Sequence, residues 1–264
     1  MWAFEVKDVF EKISVLRQNA DLALHHSARH SAPYVPARDA SVLEFKAHPP
    51  KKGFSTKEGQ ARMLHDLASI ELQAMELGLR TLAEFPDAPQ QFKEDLWKIT
   101  LSESEHLEMC LTEIQSLGFN WGDWPVNCGL WLSVSPEDSL IDRVLIVHRY
   151  LEGSGLDAGD TLIRRLAGVD AGHVQQAVKI INREEVQHVL FGSEWYVNLC
   201  LAEKLDPVID FENRMNKLRI VLPKRINPIN HELRKQAGFT ASEISYLEKL
   251  RESFLEKDSI WKKS

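Results

Sequence analysis

The sequence predicts an all-α protein built on four long helices. Apolar residues recur at spacings of three and four through four long stretches, which is the period of one buried helix face. Breaks rich in proline and glycine separate these stretches. Glutamate and histidine also occupy the predicted apolar stripes, in an order that occurs twice along the chain. Together these observations predict a helical bundle with polar side chains directed into its core.

The length and composition are those of one large globular domain. A chain of 264 residues is long enough to bury a sizeable core. We predict one domain in three parts: an N-terminal helix and wrapping segment over residues 1–54, a four-helix bundle over residues 55–205, and a helical C-terminal extension over residues 206–264.

The N-terminal part predicts one amphipathic helix and then irregular chain. Val9, Ile13 and Leu16 begin an apolar stripe that runs through residues 8–24. Residues 31–54 contain four prolines, so we expect an extended segment that wraps the bundle.

The first two bundle helices are delimited by a cap and by prolines. Ser55 and Glu58 fit a capping box, with serine at the N-cap, and begin a helix that should end near Phe85. Two prolines then break the chain, and the second helix should run over residues 90–117. A break this short predicts antiparallel neighbours.

The connection between the second and third helices is long, as expected for a crossover that spans a bundle. It covers residues 118–135 and contains three tryptophans, which either seal one face of the bundle or cover a substrate cavity. Ser135 is a suitable N-cap for a third helix that ends near Leu166. Asp170 is the predicted cap of the fourth helix.

The chemistry is predicted from two Glu-x-x-His pairs. Glu103 and His106 form one pair, and Glu185 and His188 form the other. Residues three apart lie on the same helix face, so each pair can bind one metal ion from a single helix. A further glutamate lies 32 or 33 residues upstream of each pair. This order is the ligand pattern of carboxylate-bridged di-iron and di-manganese bundles. The predicted metal ligands are Glu71, Glu103, His106, Glu152, Glu185 and His188.

The roles of these ligands follow from the same pattern. Glu103 and Glu185 are the expected bridging carboxylates, and Glu71 and Glu152 the expected terminal ones. His148 precedes Glu152 by one turn on the same stripe. It is a candidate for a further ligand or for a partner of a ligand, and a core histidine with no role at the metal is the alternative.

Several runs of sequence resemble one family. They are HDLASIELQAMEL at 65–77, LEGSGLDA at 151–158, EEVQHVLFG at 184–192 and PINHELRKQAGF at 228–239. They are similar to the ferritin-like family catalogued as domain of unknown function 455. This resemblance implies a ferritin-like fold with a di-metal site, and it implies no substrate. The non-haem di-iron hydroxylases that act on an isopentenyl-adenosine in tRNA are more distantly similar.

The predicted function is a non-haem di-iron, O2-dependent oxidoreductase, most simply a hydroxylase, with electrons from an external donor. Manganese or a mixed iron–manganese pair fits the same ligands. The alternative is a ferroxidase, metal-binding or peroxide-scavenging ferritin-like protein. The substrate is unknown. Residues 211–236 carry seven basic residues and two acidic ones, so a phosphate-bearing substrate or tRNA is one possibility and a solvated surface is the other.

The net charge, the apolar runs and the cysteines limit the predicted cellular location and binding partners of the protein. The net charge of −7 argues against general nucleic-acid binding. No leader and no apolar run near 18 residues is visible, so we predict no membrane partner. Cys110, Cys128 and Cys200 form no disulfide pattern and are expected to be buried thiols, which fits a cytoplasmic protein. A homodimer is compatible with the sequence. Thr240 and Glu243 form a second capping box, which begins a last helix.

Overall fold

The computed structural model describes residues 1–260, with side chains as far as Leu255. These residues form helices and no strands, which confirms the all-α prediction. The α-helices are α1 (Val9–Gln18), α2 (Ala20–His25), α3 (Lys57–Glu84), α4 (Gln90–Ser116), α5 (Leu140–Val144), α6 (Gly153–Leu166), α7 (Gly172–Ala202), α8 (Pro207–Leu218), α9 (His231–Gln236) and α10 (Ala241–Ile260). A π-helix, Leu145–Glu152, joins α5 to α6 and is called the π segment below.

The chain forms two compact units, each made of two stretches of sequence. Unit 1 comprises Met1–Leu140 and Arg164–Ile181. Unit 2 comprises Ile141–Ile163 and the chain from Asn182 onward. No helix among residues 1–260 is long and apolar enough to cross a membrane. The division into one domain with three parts stays a prediction.

In unit 1, α3 and α4 pack along each other in opposite directions. Gly78 of α3 faces Thr100 of α4, and Glu71, one to two turns earlier in α3, faces His106, later in α4. The short break between the helices therefore joins antiparallel neighbours, as the sequence predicted. The predicted cap was wrong by one residue. Thr56, not Ser55, is the N-cap of α3, and its hydroxyl accepts a hydrogen bond from the Gly59 amide.

The N-terminal part of unit 1 is held by a buried ion pair. Lys12 of α1 donates to Glu76 of α3 at 2.6 Å, and Arg38 donates to the same carboxylate. Since a buried charge is costly without a partner, these three side chains fix the N-terminal segment on α3. The predicted single helix over residues 8–24 is two helices, because the backbone leaves the helical region at Asn19.

The wrapping segment and the crossover meet in unit 1. The Leu43 amide donates to the Val126 carbonyl at 2.9 Å, and the Val126 amide donates to Ser41 at 2.8 Å. Trp131 is fully buried, and its indole N–H donates to the Tyr34 carbonyl at 3.0 Å. Trp131 is therefore packed inside the protein. At this position the structure favours a tryptophan that seals the bundle over one that covers a substrate cavity.

Two predicted caps of the long helices were wrong. Ser135 does not begin the third helix, which starts at Leu140. The Ser135 hydroxyl accepts from the Glu137 amide and its own amide donates to Asp138, so these residues form a local turn instead. Asp170 does not cap α7, which starts at Gly172. Its carbonyl accepts from the Gln60 side chain at 3.0 Å.

In unit 2, the π segment changes which residues face the core. Counting from Glu152 at α-helical spacing predicts that Gly155 lies on the same buried stripe. Gly155 is exposed, while Gly153 and Leu156 are buried. A π turn holds one more residue than an α turn, so residues after it are rotated from the positions that a regular α-helix would give them.

The close approach of α3 to α4 predicts opposite effects for two glycine substitutions. A Cβ at Gly78 would collide with the Thr100 hydroxyl, whereas one at Gly155 meets nothing within 4 Å. Gly78→Ala should therefore lower the free energy of unfolding by about 1–3 kcal/mol through overpacking. Gly155→Ala should raise it by about 0.5–1 kcal/mol through helix propensity. Urea unfolding of both variants checks this. A Gly78→Ala variant as stable as Gly155→Ala would contradict the packing described.

Candidate metal centre

In unit 1, three of the predicted ligands lie together on α3 and α4. Glu71, Glu103 and His106 are buried. The His106 Nδ1 atom is 3.5 Å from Glu71 Oε2 and 3.6 Å from Glu103 Oε2. Glu103 and His106 share a face because they are three residues apart, and the antiparallel packing of α3 places Glu71 opposite them. The arrangement offers carboxylate oxygens and an imidazole nitrogen to one position.

In unit 2, the second Glu-x-x-His pair lies on α7. The His188 Nδ1 atom is 3.2 Å from Glu185 Oε1. His188 is buried, and the Glu185 side chain is 12% exposed, so this carboxylate is the more accessible one of the pair. The neighbours Val186 and Val189 are also buried, and they give the pair an apolar setting in which charge interactions are strong.

The π segment carries Glu152 and His148. The His148 Nδ1 atom lies 2.9 Å from Glu152 Oε2, and both side chains are nearly buried. The imidazole ring meets Phe191 edge to face at a centroid distance of 5.0 Å. Its Nε2 atom is buried and has no hydrogen-bond partner within the described part of the chain. If Nδ1 carries the proton, His148 orients the Glu152 carboxylate and keeps a lone pair on Nε2.

Four of the six predicted ligands form one group. Single ligand atoms of Glu103, His106, Glu185 and His188 all lie within 4.8 Å of one another. Two carboxylates and two imidazoles form a donor set that suits iron, manganese or zinc. This buried group could hold a metal ion, as the doubled Glu-x-x-His pattern predicted. The inclusion of Glu71 and Glu152, the number of ions and their identity stay predictions.

Arg234 supports the backbone that carries Glu152, and no pattern in the sequence indicated this contact. A Cβ on Gly153 would collide with the Arg234 guanidinium, so glycine admits this side chain against the helix. Arg234 Nη1 donates to the Arg149 carbonyl at 3.2 Å, within the π segment. Its Nη2 donates to Asp157 at 2.8 Å. The arginine therefore anchors the irregular turn directly beside a predicted ligand.

The basic stretch 211–236 was predicted either as a phosphate-binding site or as a solvated surface, and its charges fall into distinct environments. Arg214 pairs with Asp142 at 2.7 Å and with Asp210 at 2.5 Å. Arg234 is buried against Asp157, and Lys235 pairs with Glu232 at 3.2 Å. Arg214, Arg234 and Lys235 thus have carboxylate partners inside unit 2. The seven residues do not form one uniform basic surface.

His65 is not among the predicted metal ligands and lies in an aromatic cluster of unit 1. Its ring is fully buried, stacks on Trp121 at 4.7 Å and meets Trp124 edge to face at 5.5 Å. Its Nε2 atom accepts a hydrogen bond from the Gly122 amide at 3.1 Å. Burial lowers the pKa of His65 to about 4, so this side chain is neutral at physiological pH. The three cysteines are free and buried, as predicted.

Comparison with known proteins agrees with the resemblance in the sequence. The family model described as "Protein of unknown function (DUF455)" matches residues 5–245. This chain belongs to the DUF455 family. An uncharacterized protein of Haemophilus influenzae is 33% identical to the DUF455 chain over 206 residues, which cover 75% of this chain and 71% of that protein. No solved structure matches. The all-helical architecture is consistent with a ferritin-like bundle, and that finer assignment stays a prediction.

The buried neutral His65 predicts a measurable pH dependence. Its folded pKa of about 4 lies below the unfolded value of about 6.5, so below pH 6.5 the unfolded chain binds a proton that the folded chain does not. The free energy of unfolding should therefore fall by about 2 kcal/mol more between pH 7 and pH 5 in the wild type than in His65→Gln. Urea unfolding at both pH values measures this.

A matched substitution at the exposed His25 separates the effect of burial from the loss of any histidine. His25→Gln should keep the pH dependence of the wild type. An unchanged pH dependence in His65→Gln would show that His65 does not titrate as its burial requires.

Proposed function

We propose that this DUF455 protein is a non-haem di-iron, O2-dependent oxidoreductase, and most simply a hydroxylase. The observation that carries the proposal is the buried group of Glu103, His106, Glu185 and His188, whose ligand atoms lie within 4.8 Å of one another. Each Glu-x-x-His pair supplies one carboxylate and one imidazole from a single helix face. This is the donor chemistry of the di-iron and di-manganese carboxylate proteins.

The residues fit two divalent ions in charge and in number. Glu103 and Glu185 are the proposed bridging carboxylates. Glu71 would help to hold the first ion, because its carboxylate lies 3.5 Å from the His106 Nδ1 atom, and Glu152 is its proposed counterpart. Four carboxylates would neutralise two divalent ions, and mixed oxygen and nitrogen donors suit iron or manganese. When bound, such an iron pair supplies the electrons that reduce O2, and an external donor restores them.

The protein's own side chains hold and shield the ligands. The contact of His148 with Glu152 fixes the orientation of that carboxylate, since a ligand with a hydrogen-bond partner has fewer rotamers to adopt. Leu96, Cys110 and Ile114 are buried on the α4 stripe that carries the first pair. Their apolar surface excludes water and lowers the local dielectric constant, which strengthens the binding of a cation by the carboxylates.

The proposed partners follow from this chemistry. They are O2, an external reductant and an organic substrate of unknown class, in a cytoplasmic protein that is a monomer or a homodimer. Ferroxidase or peroxide-scavenging activity would use the same ligands, so it is the competing outcome of the experiments below.

Metal binding should depend on the buried glutamate of α4 and not on an exposed one beside it. Wild-type protein mixed anaerobically with Fe(II) should bind about two ions per chain. Glu103→Gln should bind at most one with high affinity, because the amide loses the charge and the bridging capacity of the carboxylate. Glu105→Gln removes the same charge from an exposed position of the same helix and should bind as the wild type does.

Iron analysis after desalting measures the stoichiometry, and circular dichroism checks that all three proteins stay helical. Equal stoichiometry in Glu103→Gln and wild type would remove Glu103 from the metal site. Equal loss in both variants would show a general charge effect instead.

Exposure of the Fe(II)-loaded protein to O2 separates an oxygenase from iron storage. The loaded protein should consume O2 rapidly, and the Zn(II)-loaded protein should not, since zinc has no redox chemistry. With a tenfold excess of Fe(II), an oxygenase should retain about two ions per chain, whereas a storage protein should continue to oxidise and retain more. Retention of the excess iron would favour the ferroxidase alternative, and no O2 consumption would refute the di-iron proposal.

A further inference from the structure

Unit 2 contains a cluster of arginines with too few carboxylates. We call Arg149, Arg225, Arg234 and Arg251 the arginine cluster. Arg149 pairs with Glu243 at 2.9 Å. Arg234 and Arg251 both donate to the same Asp157 oxygen, each at 2.8 Å. Three of the four guanidinium groups thus contact two carboxylates and Arg225 contacts none, so the described residues leave an excess of two positive charges.

Arg225 is the member without a partner. It makes no hydrogen bond or ion pair with any described residue, and its Nε atom is buried. Burial lowers the pKa of Arg225, Tyr150 raises it, and the neighbouring Arg251 lowers it. A partly buried guanidinium that faces another cation is unfavourable unless an anion completes the arrangement.

The backbone on both sides of Arg225 is anchored to unit 2. The Tyr150 hydroxyl donates to the Pro223 carbonyl at 2.7 Å, two residues before Arg225. Arg251 Nη1 donates to the Asn227 carbonyl, two residues after it. These two contacts hold Arg225 beside Arg251 in a fixed loop, so the unpaired guanidinium is part of a prearranged site and does not belong to a freely moving surface side chain.

We propose that Arg225 and Arg251 form a binding site for the phosphate group of a small ligand. The excess of two positive charges matches a phosphate group, which carries about −1.5 to −2 at pH 7, better than a carboxylate, which carries −1. The planar guanidinium of Arg225 makes no hydrogen bond within the described chain, and its two terminal nitrogens can bind two phosphate oxygens at once. The site is separate from the residues of the proposed metal centre and does not depend on the proposed function.

Anion-dependent stability tests this site without knowledge of the natural ligand. In buffer that contains only chloride, Arg225→Gln should be at least as thermally stable as the wild type, because the substitution removes an unpaired, partly buried charge. Inorganic phosphate at equal ionic strength should raise the melting temperature of the wild type in a saturable way. The order of stability of the two proteins should therefore reverse as phosphate is added.

The control is Arg219→Gln, which removes one charge from an exposed residue of the same basic stretch. Isothermal titration with inorganic phosphate should give the same affinity for Arg219→Gln and wild type, and an affinity at least about tenfold weaker for Arg225→Gln. Acetate should bind more weakly than phosphate to the wild type. Tighter binding of glycerol phosphate than of inorganic phosphate would identify the ligand as an organic phosphomonoester, and the reverse order would identify it as free phosphate.

Three results would overturn the proposal. The first is no saturable effect of phosphate on the wild type, and the second is an equal effect on Arg225→Gln. The third is an Arg225→Gln variant that is less stable than the wild type in chloride alone, which would show that Arg225 stabilises the fold without an anion.

Discussion

A carboxylate buried in a helical protein needs a positive charge beside it, and this constraint governs the polar groups of both units. In unit 1, Glu76 meets it with Lys12 and Arg38, so the N-terminal segment is fixed to α3 by charge as well as by apolar contact. Glu103 lies instead beside the imidazole of His106. Imidazole is a weak base and also a metal ligand, so a carboxylate placed next to it is the arrangement that a divalent cation completes.

Polar groups inside the helical core also stabilise the irregular backbone of the π segment. A π turn leaves carbonyls without their usual α-helical donors, so it persists where other groups satisfy them. Here the Ser154 hydroxyl donates to the Tyr150 carbonyl at 2.6 Å, and Arg234 donates to the Arg149 carbonyl. The segment ends at Glu152, so the side chains that stabilise the distortion also determine where a predicted metal ligand points.

The sequence predicted those features that depend on short-range pattern. The end of α3 and the start of α4 were predicted to within a residue, because the prolines between them cannot continue a helix. The grouping of Glu103 with His106 followed from helical spacing alone. Spacing could not predict the π segment, since the core positions from Ile141 to Glu152 recur at intervals of three and four, as they would in a regular α-helix. Nor could it pair Arg234 with Asp157, because that contact joins residues 77 positions apart and only the folded chain brings them together.

The basic stretch shows why charge counted along a sequence is a poor measure of binding. Arg214 and Arg234 contribute equally to such a count, yet both form ion pairs with carboxylates of unit 2 and so take part in the packing of the fold. Arg225 contributes the same charge and has no such partner in the described chain. The loop that carries Arg225 is anchored on both sides, so the unpaired charge stays partly buried and lowers the stability of the fold. Arg214 and Arg234 do not have this cost, because carboxylates neutralise them. The proposed anion would remove this cost, by the same reasoning that proposes a cation beside the buried glutamates.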